Sequence, residues 1–187
     1  MIVSIHQPNF VPWYPFFQKI QNSDCFIILE NCQFEKNNFQ NRFNINETWY
    51  TMSVKKGLEP ISNKIYVNPH SDWEKIKSKL KKYNTILNNF DSCISENLAE
   101  TNKKIIFKIC ELLEIKTKII SDYPTDLKST ERLIHLCKSN NATHYLSGSG
   151  GKKYLDLNLF EKNDIKLIFQ NETTIEKKPI LIKLSEI

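Results

Sequence analysis

Residues 2–29 read IVSIHQPNFVPWYPFFQKIQNSDCFIIL, and an apolar run closes each end of the stretch. IVSI (2–5) reads as a short buried strand and CFIIL (25–29) as a second one. Between them Trp13, Phe16, Phe17 and Ile20 fall at i, i+3, i+4 and i+7, the spacing of an amphipathic helix over 13–22. Strand, short helix, strand predicts a parallel βαβ unit. The same spacing assigns Trp13, Phe16 and Phe17 to the core. Pro8 and Pro12 stiffen the turn, and Pro12 suits the first helical positions. His6, Gln7 and Asn9 are left as the polar groups displayed at the strand end.

Working outward, NCQFEKNNFQNRF (31–43) is polar and irregular, a loop. WYTMSV (49–54) and ISNKIYV (61–67) read as strands joined by KKGLEP, with Gly57 and Pro60 as punctuation. Two helices follow over about 72–88, with Trp73, Ile76, Leu80 and Tyr83 on one face, and about 95–114. TKII (117–120), THYLS (143–147) and IKLIF (165–169) are strands, and STERLIHLCK (129–138) is a helix. The pattern predicts a three-layer α/β, Rossmann-like fold: a mostly parallel sheet with helices on both faces. One domain over 1–187 is expected, with a two-helix segment at about 72–115 and a loose or docking tail at about 171–187.

Apolar residues make up 40 % and charged residues 25 % of the 187, an ordinary composition for a soluble globular chain. No apolar run reaches the roughly 18 residues of a membrane helix, so no membrane insertion is expected. MIVSIHQPN lacks the basic flank and apolar core of a signal peptide. Five cysteines, odd in number and widely spaced, predict reduced and mostly buried thiols in a cytoplasmic protein. The net charge is 26 − 21 = +5, which favours a phosphate-bearing partner over a cationic one. The excess sits largely in KSKLKKY (77–83) and TNKKIIFK (101–108), which read as solvated helix faces or as surfaces for RNA.

Ligands in open α/β sheets bind beyond the carboxyl ends of the strands, and four polar segments fall there. The first, HQPNF, carries His6, read as a general base or as a hydrogen-bonded structural histidine, with Gln7 and Asn9 beside it. In the second, Gln33, Asn37, Asn41 and Arg42 suit hydroxyls, amides and phosphate oxygens, and Lys36 joins His6 as a candidate catalytic group. The third, SGSGGKKY, concentrates three of the four glycines. Ser147, Gly148, Ser149, Gly150, Gly151 and Lys152 read as a phosphate cradle or as a tight strand-to-helix turn, with Tyr154 beside it. In the fourth, Ser129 or Thr130 caps a helix and Glu131 suits its dipole. Arg132 at that helix start has no structural reason in the sequence, which makes it a ligand contact alongside Thr130 and Glu131. No metal-binding spacing of His and Cys exists, and no G-x-S-x-G elbow.

IHQPNFVPWYPFFQKI, ILENCQFEKNNFQNR and STERLIHLCKSNNATHYLSGSGGKKYLDLNLFEKNDIKLIF, in this order, resemble the WbqC-like family of bacterial proteins. The resemblance covers the first 42 residues and about 40 from Ser129, while 55–115 matches only as two helices. The family's C-terminal L-S-x-x-D stretch reads LSEI here. The resemblance implies a cytoplasmic protein of O-antigen or other surface-glycan synthesis, and that setting together with the site chemistry favours a transferase that acylates or aminoacylates the amine of a nucleotide-activated sugar. Its donor is left open, with aminoacyl-tRNA among the candidates, and no cofactor is required. A fainter likeness to HxGH nucleotidyltransferases rests on Gln7 and Pro8, but Phe10, Pro12 and Trp13 stand at the two histidine positions and the glycine. It keeps open an ATP- and Mg²⁺-dependent adenylyl- or nucleotidyl-transferring enzyme. A non-catalytic subunit of a glycan assembly complex is the third reading.

Overall fold

The computed structural model describes all 187 residues. In chain order the elements are β1 (Ile2–His6), α1 (Tyr14–Gln21), β2 (Cys25–Ile28), β3 (Arg42–Ile45), β4 (Thr48–Thr51), α2 (Pro69–Lys79) and α3 (Asn84–Leu87). They continue as α4 (Leu98–Leu112), β5 (Lys118–Ser121), α5 (Ser129–Ser139), β6 (His144–Ser147), α6 (Leu157–Glu161), β7 (Lys166–Phe169) and α7 (Ile180–Leu184). Where the sequence reads as one domain, the contacts gather into two compact units that share the chain alternately. The first holds Met1–His6, Pro15–Leu29 and Lys116–Glu176; the second holds Gln7–Tyr14, Glu30–Ile115 and Lys177–Ile187.

The first unit is a five-stranded sheet in the order β5-β2-β1-β6-β7, parallel throughout. β2 is apolar on both faces, as a strand covered on both sides is, whereas β1 carries the buried Ser4, which accepts from Ser23 Oγ at 2.7 Å. One face of β1 and β2, with Val3, Ile5, Cys25 and Ile27, packs on Ile134 and Cys137 of α5 and Phe160 of α6. On the other face Phe26 meets Phe16 of α1 edge-on at 5.2 Å. The three-layer α/β expectation and the βαβ start are therefore what forms.

The ladders are unequal. β1 and β2 pair over four residues, from Val3↔Cys25 to His6↔Ile28, and β6 and β7 also pair over four, from His144↔Lys166 to Ser147↔Phe169. β1 and β6 pair over two only, Ile2↔His144 and Val3↔Tyr145. Pairing between β1 and β6 is thus confined to their amino ends.

The second unit is built on the β3–β4 hairpin and α4. Asn46 (φ 49°) and Glu47 (φ 64°) give the two-residue turn of left-handed residues that matches strand twist. Phe10 is fully buried among Phe43, Tyr66 and Trp73, at ring separations of 5.6, 6.3 and 6.2 Å. Asn102 of α4, also fully buried, donates to the carbonyls of Pro8 and Gln40, both at 2.7 Å, and accepts from the Tyr66 hydroxyl at 3.2 Å. A helix side chain thereby supplies the hydrogen bonds that two loop carbonyls would otherwise lack.

Four sequence expectations change. Trp13 is 50 % exposed, because α1 starts only at Tyr14 and its buried face begins with Phe16 and Phe17. ISNKIYV is not a strand: Ile61–Asn63 form a single tight turn, and only isolated bridges follow at Ile65 and Tyr66. The helix expected over 72–88 starts earlier, at Pro69, where a proline loses no hydrogen bond, and ends at Lys79. The tail docks: Ile180, Leu181 and Leu184 of α7 are buried.

Replacing Asn102 with alanine strands two buried carbonyls, so urea unfolding is expected to show a loss of about 2–4 kcal/mol. A loss below about 0.5 kcal/mol would mean that water replaces the amide without cost.

Candidate functional site

β1 leads outward to β2 and β5 on one side of the sheet, while β6 and β7 lie on the other. The reversal of strand order therefore falls between β1 and β6, and a crevice beyond the carboxyl ends of such strands is where α/β sheets hold ligands. Here the ladder between the two strands also ends before the strands do. His6 closes β1 on one side of the opening, its ring edge-on to Phe16 at 5.1 Å and its carbonyl accepting from Leu29 N at 2.8 Å. Ser147 closes β6 on the other, 3 % exposed, with Oγ donating to the Gly148 carbonyl at 3.1 Å.

After Ser147 the chain turns through a short 3-10 segment, Ser149–Lys153. Neither of its two glycines nor Gly148 before it has positive φ. Gly151 is needed for a different reason: a Cβ there would run into Ser147 Oγ and lie 3.0 Å from Leu155 Cδ1. Gly150 faces open space. The N–H groups of Ser149 and Gly150 have no acceptor within the protein. Exposed Lys152 holds its ammonium 5.3 Å from the Phe169 ring centre, and Tyr154 is 72 % exposed.

The start of α5 is explained by structure rather than by ligand. Thr130 accepts from Asp156 N at 3.2 Å instead of capping its own helix, which begins after Lys128 with no side-chain cap. Glu131 points to solvent. Arg132 is 7 % exposed and pairs with Asp122, whose side chain is fully buried. The sequence offers no structural reason for Arg132 because its partner lies on the segment after β5, ten residues away.

Of the loop residues in the second unit, Gln7 joins an amide chain. Glu35 N donates to Gln40 Oε1 (2.9 Å), Gln40 Nε2 to Gln7 Oε1 (2.7 Å), and Gln7 Nε2 to Cys32 Sγ (3.3 Å). Asn9 is 8 % exposed and its amide has no hydrogen-bond partner within the protein. Asn41 is committed to the Met52 carbonyl at 2.8 Å. Arg42 reaches the carbonyl of Asn37, which sits at φ 65°, and lies over the Trp49 ring at 4.1 Å. Gln33 and Lys36 are exposed.

Four groups escape the sequence reading. Gln40 and Asn102 look like ordinary loop and helix amides there. Cys32 is half-buried, unlike the other four cysteines, and burial pushes the thiols of Cys110 and Cys137 up to about 12, far from thiolate chemistry. Lys19 had a legible signal: it lies at i+3 from Phe16 on the apolar face of α1 and is 3 % exposed.

The basic stretches separate. Lys103, Lys104 and Lys108 pair with Glu30, Glu100 and Glu111. Lys79, Lys81 and Lys82 have no acidic partner and line, with Tyr50 and Tyr83, a groove of about 410 Å³ in the second unit.

The Gly151 argument predicts that Gly151→Ala lowers thermal stability by about 1–2 kcal/mol through overpacking. Ser147→Gly in the same chain should recover most of it, and no recovery would mean the clash lies elsewhere.

A family model described as the WbqC-like protein family matches residues 7–177. Uncharacterized protein Rv1507c of Mycobacterium tuberculosis (strain ATCC 25618 / H37Rv) is 28 % identical over 184 residues, covering 88 % of this chain and 80 % of that protein. No solved structure matches. No helix is long and apolar enough to cross a membrane.

Proposed function

The chain belongs to the WbqC-like protein family, and from that premise we propose that it is a transferase that acylates or aminoacylates the amine of a nucleotide-linked sugar for a surface glycan. The observation that carries the reading is the opened β1–β6 ladder at the point where strand order reverses. A nucleoside diphosphate suits that crevice, with the free N–H groups of Ser149 and Gly150 and the ammonium of Lys152 facing its oxygens. His6 takes the base role. The sugar amine attacks the carbonyl of an ester or thioester donor, the C–N bond forms, and the C–O or C–S bond breaks. The proton leaves the amine for His6 and passes from there to the departing oxygen or sulfur. Holding amine and carbonyl together lowers the barrier by proximity.

His6→Ala is expected to lower turnover by about 10²–10⁴-fold while calorimetry finds the affinity for the nucleotide sugar little changed. Unchanged turnover would remove His6 from the chemistry.

The adenylyl-transfer alternative has less support. Phe10, at one of the positions where that chemistry needs histidine, is fully buried in an aromatic cluster. Release of pyrophosphate from ATP in the presence of sugar and acid would revive it.

The groove of Lys79, Lys81 and Lys82 favours one choice of donor, an aminoacyl-tRNA held through its phosphates. Bulk tRNA should then be retained on filters at low salt and lost steeply as salt rises, and Lys79→Glu with Lys82→Glu should abolish retention. Equal retention by native and double-variant chains would rule the groove out.

A further inference from the structure

Lys19 is the one ammonium buried in the first unit's core. Its Nζ donates to the Ile5 carbonyl at 3.2 Å and lies 5.9 Å from the Phe26 ring centre. The position of that carbonyl matters. Met1 O accepts from His144 N, and carbonyls alternate sides along a strand, so the odd-numbered carbonyls of β1 face β6. The β1–β6 ladder stops at Val3↔Tyr145, which leaves Ile5 O on the open side with no strand donor. Lys19 fills that vacancy, which puts its amine at the β6-facing edge of β1 where the ladder has ended.

No carboxylate is paired with it. The charged and titratable groups of the elements around it are His6 on β1, Asp24 and Cys25 at the start of β2, Lys152 after β6, and Glu172 and Glu176 on the segment that packs on α1, where Gln170 Nε2 donates to the Pro15 carbonyl at 2.9 Å and Glu176 N to Gln18 Oε1 at 3.0 Å. Asp24 is spent at the opposite end of the sheet, accepting from Ile2 N at 2.7 Å. Burial alone lowers the Lys19 amine to about 7, with no contribution from a neighbouring charge. A fold that keeps a lysine dry and omits its counter-ion leaves room for an anion from outside.

We propose that Lys19 is the cation of this crevice, lacking a counter-ion until the diphosphate of a nucleotide sugar enters the split between β1 and β6, and taking up a proton as that anion binds. The inference rests on the crevice reading given under Proposed function. So buried an amine acts on the ligand through the field in a poorly screened interior rather than by solvent-side contact. An anion nearby favours the charged form and raises the amine's pKa. Since the bound chain then holds a proton that the free chain has lost, affinity falls as pH rises above 7, at up to about tenfold per pH unit.

The test is calorimetric titration of the full chain with UDP-glucose, whose diphosphate keeps its charge between pH 7 and 8.5. Affinity should fall about tenfold or more across that window, and buffers of different ionisation enthalpy should report uptake of close to one proton. Lys19→Met should bind more weakly at pH 7 and with no pH dependence. A second readout needs no ligand. The amine titrates near 10.5 unfolded and about 7 folded, so native stability should rise as pH goes from 7 toward 10, and Lys19→Met should lose that rise. His6→Asn should keep the pH dependence of binding; if it abolishes it, the proton belongs to His6 and the proposal is overturned. Equal affinity at pH 7 and 8.5 overturns it too, while leaving the crevice in place. A native chain that binds no UDP-glucose overturns both.

Discussion

The hydrogen bonds of β1 are the constraint on which the first unit depends. As the central strand it must satisfy donors and acceptors on two edges. Toward β2 it does so along its length; toward β6 it stops after two pairs. Several polar groups gather at that interruption. His6 and Ser147 end the two strands beside it, the glycine turn leaves from it, and Lys19 is drawn in from α1 to answer the carbonyl that the ladder abandons. An uninterrupted ladder would have left neither a crevice nor a place for a buried amine.

The glycine turn shows how one residue type serves different ends. The cluster at 148–151 suggests left-handed backbone, yet the only glycine with positive φ is Gly57, in the KKGLEP segment. Gly151 is required because the turn folds directly onto Ser147. A Cβ at Gly150 would meet nothing within 4 Å. The turn is thus the tight strand-to-helix connection that the sequence offered as one alternative.

In the second unit the QPNF segment (7–10) is divided residue by residue. Phe10 is core. Pro8 offers a carbonyl to Asn102, and Gln7 is held by Gln40 so that its amide meets Cys32. The loop after β2 is likewise more ordered than its composition suggests, since Gln40 and Asn41 are buried and bonded to backbone or to each other's neighbours. Dense amides therefore build the loop as much as they display it, and Arg42 is braced on Trp49 and Asn37 rather than held free.

The sequence by itself determined the class of fold, because strand periodicity and helical spacing are local: IVSI, CFIIL, THYLS and IKLIF lie in the parallel sheet, and Phe16, Phe17 and Ile20 face it. It also located the polar ends of β1 and β6, since those residues follow directly on apolar runs. It misread ISNKIYV, whose alternation satisfies isolated bridges rather than a ladder, and Trp13, which precedes the helix that would have buried it. Only the tertiary structure decided what depends on residues distant in sequence. Arg132 found its reason in Asp122, Asn102 in Pro8 and Gln40, and Lys19 in the Ile5 carbonyl. Each is a polar group whose partner is fixed by which strands and helices become neighbours, and hydrogen bonding across that distance leaves no period in the sequence to be read.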